Sequence, residues 1–345
     1  MGLAAGAGDE VLLELRAREA FSKRDYQTAG QLAKVCAEQA AAGGDQGTWW
    51  HMTFLEAECY RDMGQQQDCI AVTKRLRVHS LTAESSELMC RVLTLQSVSL
   101  QGLGELDAAL ADAEAAVHIG TDNRLRTEIR IEAQTALVAT LAERGDNDEA
   151  WDQCRVLIKL LEASTDAQAA GKGYWAVGNV AFLRQESGHG VHYHQLAAER
   201  LSPSNDLALW AWFNRASAAM RLAAGIADAE TEDCMDRAEL AASIIGVTDD
   251  IRRSNNMNRA HWHFQRGEID EAAQLLVPIC EESPSMAHQT AGEANLLLSK
   301  TLRVKGDCSA ALRHLKESRA YFDQSGAKDR AAQVAAEIAR FPQAS

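Results

Sequence analysis

The chain runs to 345 residues, 46% hydrophobic and 24% charged, with a formal net charge of −14, which supplies a core and excludes a basic nucleic-acid surface. Only 4 prolines and 23 glycines interrupt alanine-rich stretches such as 108–116, so helix is favoured throughout over sheet or disorder. Residues 1–8 lack a basic start and a long apolar run, and Gly6 stands where a Gly2 lipidation signal needs Ser or Thr. With no apolar run of membrane-spanning length, the expectation is a cytoplasmic protein without membrane contact.

In chain order, eight turns organise the sequence: near Arg24-Asp25, Gly64, Gly104, Gly145, Gly188, Gly225, Gly267 and Gly306, separated by 37 to 43 residues. Each stands between two helix-like runs, which predicts hairpin units over 9–42, 48–81, 84–120, 123–163, 167–201, 205–246, 250–283 and 286–324. Ala331, Val334, Ala335, Ile338 and Phe341 recur at helical spacing in 326–341 and predict a closing helix. The whole is expected to form one repeat domain over 9–345.

Five residues after six of the turns stands Ala29, Cys69, Ala109, Ala150, Ala272 or Ala311, and seven before them stands Ala17, Ala57, Ser97, Val138, Ala260 or Ser299. Small side chains there let two antiparallel helices approach closely. Asp146 and Asp307, beside their turns, are placed to cap the second helix by accepting its unpaired N–H groups. Two units depart from the rule: no small residue follows Gly188 by five, and 225–233 has the character of an insertion.

Gly145-Asp146-Asn147-Asp148-Glu149-Ala150, Gly267-Glu268-Ile269-Asp270-Glu271-Ala272 and Gly306-Asp307-Cys308-Ser309-Ala310-Ala311 resemble the turn of the tetratricopeptide family, Gly-Asp-x-x-x-Ala. Arg24-Asp25-Tyr26-Gln27-Thr28-Ala29 matches apart from its glycine. The resemblance implies an all-α, right-handed superhelical α-solenoid whose first helices line a concave face, although the spacing here is near 40 residues where the family's is 34. An array of this length with groove asparagines is similar to the sensor domains of bacterial quorum-sensing receptors of the Rap, Rgg and PlcR kind. That likeness implies a short peptide ligand, a cytosolic regulator and a role in signalling and transcription regulation. The alternative it leaves is a stand-alone adaptor that gathers protein partners.

Asn214, Asn256 and Asn295 each precede their turn glycine by 11 residues, and Asn179 and Asn258 precede theirs by 9. An asparagine amide both donates and accepts, so a ladder of them on first helices suits the backbone of an extended peptide. It suits hydrogen bonds between helices equally well. Arg215, Arg259, Trp175 and Trp210 lie on the same helices and are of the types enriched at binding hot spots. These nine residues form the expected ligand face. Between 254 and 266 only Met257, Ala260 and Phe264 make an apolar stripe, which fits a groove wall.

His189, His192 and His194 with Glu186 match no closed zinc pattern and are expected to be solvated turn residues. The eight cysteines stand singly, without a Cys-x-x-Cys pair, so neither a metal nor another cofactor is expected. No Gly-x-Ser-x-Gly, phosphate-cradling loop or His-Glu-x-x-His occurs, so no catalytic residue is assigned and a non-enzymatic protein is expected. Residues 251–345 carry 13 Lys+Arg against 11 Asp+Glu, a net of +2, which leaves −16 on residues 1–250. An acidic ligand therefore belongs with the C-terminal third. The expected partner is a peptide or protein segment, with no direct nucleic acid through this chain, and a homodimer is left open.

Overall fold

The structure is a computed structural model that describes residues 4–121 and 124–341. Among the described residues every regular element is helical. Eight hairpins follow in order: α1 (Ala4–Ser22) with α2 (Tyr26–Gly43), and α3 (Gln46–Asp62) with α4 (Gln66–Arg77). After a short α5 (Ser80–Glu84) come α6 (Ser86–Gly102) with α7 (Leu106–Gly120), and α8 (Thr127–Arg144) with α9 (Asn147–Glu162). The pair α10 (Ala167–Leu183) and α11 (Ser187–Arg200) completes a first compact unit ending at Arg200. A second begins at Leu201 and holds α12 (Leu207–Ala223) with α13 (Ala229–Ile245), α14 (Asp249–Gln265) with α15 (Ile269–Glu281), α16 (His288–Val304) with α17 (Cys308–Ser325), and the closing helix α18 (Lys328–Ala339). The sequence anticipates a single repeat domain, whereas the contacts divide the chain in two, at a segment holding Pro203.

The hairpin turns explain the spacing seen in the sequence. Each needs one left-handed residue, supplied by glycine at Gly64, Gly104, Gly145, Gly225, Gly267 and Gly306. In the fifth hairpin that residue is Gln185, at φ 63°, three residues before Gly188, which lies inside α11. Counted from Gln185, the residue seven before is Gly178 and the residue five after is Gly190, so this unit obeys the small-residue rule.

Those two positions meet in the third, fifth and eighth hairpins. Ser97 Oγ donates to the Ala109 carbonyl at 2.8 Å, and Ser299 Oγ donates to the Ala311 carbonyl at 2.7 Å. A Cβ on Gly178 would come within 3.2 Å of the Gly190 carbonyl oxygen. Asp307 caps α17 as expected, accepting from Ala310 N at 3.0 Å. Asp146 makes no such bond to α9 and instead takes Arg144 Nε at 2.7 Å.

Cores lie between successive hairpins within each unit. In the first, Trp50 and Phe54 of α3 pack with Leu76 of α4 and with Val92 and Leu95 of α6. In the second, Ala331, Val334 and Phe341 cover Leu296, Leu315 and Phe322, so 326–341 does close that core. Cys36, Cys59, Cys69, Cys90, Cys154 and Cys234 are buried, Cys280 is half-buried and Cys308 exposed, and none is in a disulfide. Burial pushes the Cys59 and Cys154 thiols up to about 12. No helix among the described residues is long and apolar enough to cross a membrane.

Candidate functional site

The nine residues of the expected ligand face separate into three sets. Asn214 is buried, donating to the Trp210 carbonyl at 2.8 Å and accepting from Arg237 Nε of α13 at 2.8 Å. Asn295, fully buried, donates to Ser283 Oγ at 3.1 Å and accepts from His314 Nδ1 of α17 at 2.8 Å. The position 11 before the turn therefore faces the partner helix, and these two amides join the helices of one hairpin. Asn256 shares their register, is half-buried, and makes no hydrogen bond among the described residues. Replacing Asn295 with alanine should lower stability by about 1–3 kcal/mol in urea denaturation, because Ser283 and His314 lose a buried partner. No loss of stability would reopen its assignment to a ligand.

Two further residues are occupied by the fold. Arg259 is clamped by α13, with Nε 2.7 Å from Glu239 and a second ion pair to Asp236. Asn179 lies 6 residues before Gln185, so it is not equivalent to Asn258, which lies 9 before Gly267. Its Oδ1 accepts from His194 Nε2 of α11 at 3.1 Å, inside the hairpin. Trp175, in the first unit, and Trp210, in the second, are each half-buried on a first helix.

What remains together is a polar strip of the second unit between α12 and α14. Asn258 Nδ2 donates to the Arg215 carbonyl at 2.9 Å, and Gln265 Nε2 donates to the Leu222 carbonyl one helical stretch further on. Gln265 Nε2 also lies 3.1 Å from His261 Nε2, so His261 accepts there and carries its proton on Nδ1. Burial, then the nearby Lys300 charge of α16, push the His261 pKa down to about 4, so the ring is neutral near pH 7. Arg215 is half-buried, makes no ion pair or side-chain hydrogen bond among the described residues, and has its pKa lowered by burial alone. The sequence did not single out Gln265 or Lys300. The repeated position 6 before the turn, occupied by His261 and Lys300, was the available signal.

α14 is unusual among the first helices of this unit. It buries three residues, Asn258, Ala260 and Trp262, where α12 buries eight and α16 nine. Ala260 of the expected apolar stripe is buried in a core with Leu276 and Leu298, with the half-buried Met257 and Phe264 packed against it, while Trp262 joins a separate core with Leu222 and Met235. A helix that lends so little surface to packing keeps its flanks accessible.

The histidines after Glu186 lie on α11 rather than in a turn. His194 is buried, whereas His189 is exposed and sits 2.9 Å from Glu186. His192 is exposed. Among the described residues no group of His, Cys, Asp and Glu is arranged to hold a metal ion.

No family model matches the chain, and no curated protein matches it. Solved structures do. The apo form of RapI is similar at a TM-score of 0.56 and 12% identity, covering 85% of this chain and 99% of that one. The Rap conjugation gene regulator of plasmid pLS20, solved with the Phr* peptide, is similar at 0.61 and 11%, covering 93% and 97%. A signal-transduction ATPase from Pyrococcus horikoshii with a tetratricopeptide repeat sensor is similar at 0.63 and 12%, covering 96% of this chain and 50% of that longer one. At such identities the likeness is one of fold: this chain is a tetratricopeptide-like helical array of the kind found in Rap proteins.

Proposed function

We propose that this chain is a non-enzymatic module that binds a peptide or an extended protein segment along the α12–α14 strip of its second unit, as the sensing part of a cytoplasmic bacterial regulator. The observation that carries the reading is Arg215. A half-buried guanidinium without a partner is costly to keep, and a ligand carboxylate or backbone carbonyl would relieve it. Asn258 fixes the backbone beneath that side chain, and His261 presents an Nδ1–H on the next helix. Support comes also from the similar Rap regulator solved with its Phr* peptide. A role in quorum sensing or transcription regulation is a further part of the proposal.

A random-peptide library displayed on phage and panned against the purified chain tests this. Selected peptides should lose about ten- to hundredfold in affinity with Arg215→Ala, the worth of a hydrogen bond to a charged group. The variant should melt no lower than the original, because it removes an unpaired charge. Unchanged affinity would overturn the reading. The adaptor alternative has its own observation: Leu240, Ile244 and Val247 are 62%, 66% and 56% exposed at the end of α13. Binding partners that depend on those aliphatic side chains and not on Arg215 would favour it.

A further inference from the structure

Four exposed aliphatic side chains crowd the end of α13. Leu240 and Ile244 lie one helical turn apart on one face, and Ile245 and Val247 follow on either side of Gly246, whose φ of 101° turns the chain out of the helix. The second helices α9 and α15 each leave one large aliphatic side chain open, Val156 and Val277. An apolar patch of this kind within a polar surface marks a place that another molecule covers.

The surroundings of the patch define its occupant. Residues 228–250 carry 8 Asp and Glu against 1 Arg, a net of −7, half the net charge of the whole chain. Asp233 and Asp236 precede Leu240 by seven and four residues and so share its face, while Asp249 and Asp250 stand just beyond Val247. All four are exposed. Three of them pair with arginines that hold a second carboxylate: Arg259 binds Glu239 as well as Asp236, and Arg252 and Arg253 bind Glu282 as well as Asp249 and Asp250. An incoming cation can therefore draw these aspartates away without stranding an arginine. A second copy of this chain does not fit, since α13 laid on α13 sets acidic ends against acidic ends in either direction.

We propose that the end of α13 docks an amphipathic helix of another protein, one that carries an aliphatic stripe with Lys or Arg at both ends. A helix suits because Leu240 and Ile244 stand at i and i+4, so their ridge seats between the side-chain rows of a second helix. The aliphatic contact supplies affinity, and the bracketing charges fix the register and speed the encounter. This surface lies on a second helix, apart from the α12–α14 strip, and the inference does not rest on peptide binding there.

The test uses the full chain and one designed probe. This is a fluorescent, hydrocarbon-stapled helix of about 14 residues, with leucines at i and i+4 in its middle and lysines at each end. Fluorescence anisotropy should show saturable binding that Ile244→Ser weakens at least about tenfold. Asp249→Asn with Asp250→Asn should weaken it too and flatten its salt dependence. Because Ile244 is exposed, Ile244→Ser should leave the melting temperature unchanged. A probe with glutamate in place of lysine should bind at least about tenfold more weakly. Absence of binding, equal binding of the two probes, indifference to Ile244→Ser, or a sedimenting dimer that Ile244→Ser dissolves would each overturn the proposal. Arg215→Ala should not alter the probe's affinity, and a loss there would move the probe to the strip and overturn the proposal as well. Should panned peptides prove indifferent to Arg215 while the probe still binds α13, the strip assignment fails and the docking assignment stands; the reverse result has the reverse meaning.

Discussion

Replacing Trp50 with alanine should destabilise the first unit by about 3–5 kcal/mol, the usual range for emptying a large aromatic site. Trp50 is 1% exposed, stacks on Phe54 at 5.1 Å between centroids, and donates from Nε1 to Thr82 Oγ1 at 2.7 Å. Its removal opens the core shared by α3, α4 and α6 and leaves the buried Thr82 hydroxyl without that donor. The Arg91 guanidinium, 4.3 Å above Phe54 and 5.5 Å from Trp50, loses part of its seat as well. Urea denaturation followed by circular dichroism measures the effect. Hairpins in such arrays touch mainly their neighbours, so the loss should appear as an early transition with the second unit melting later. A change below about 1 kcal/mol would contradict the packing described for this core.

Leucine at Gly178 should have a comparable effect, about 3 kcal/mol or more, for the opposite reason. Here the site is overfilled. A Cβ at Gly178 would fall 2.2 Å from the His194 ring and 3.2 Å from the Gly190 carbonyl, so α10 and α11 must part. His194 is 2% exposed and bonded to Asn179, and it has nowhere to turn without breaking that bond. A double-mutant cycle gives the check: with His194→Ala in place, Gly178→Ala should cost distinctly less than it does alone. Additive costs would mean that the two residues do not meet.

The reason that glycine went unnoticed in the sequence is physical. Glycine adopts the left-handed conformation readily, so a turn glycine is the sequence mark of a hairpin. In the fifth hairpin that conformation falls on Gln185, and the nearest glycine, Gly188, lies inside α11. The three-residue slip hid Gly178 and Gly190 and gave Asn179 a false equivalence with Asn258. Where glycine does mark the turn, as at Gly145 and Gly306, the hairpins follow the sequence closely. The helical array was legible because it rests on a repeated local pattern. The ligand face was not, because a buried asparagine bonding across a hairpin and an accessible one bonding a ligand have the same side chain. Only the partners of Asn214 and Asn295 separate the two cases.

The thiols give the molecule a property that its sequence pattern does not suggest. Cysteines stand in α2, α3, α4, α6, α9, α13, α15 and α17, so seven of the eight hairpins, all but α10–α11, carry at least one, and all but Cys308 are shielded. A shielded thiol reacts with a thiol reagent only when its surroundings open, so each rate of labelling measures the opening free energy of one neighbourhood. Cys154 would clock α9, Cys234 α13 and Cys280 α15, while Cys308, already exposed, sets the unhindered rate against which the rest are read. The chain thus carries its own set of internal clocks, spaced along the array, for watching which hairpin yields first.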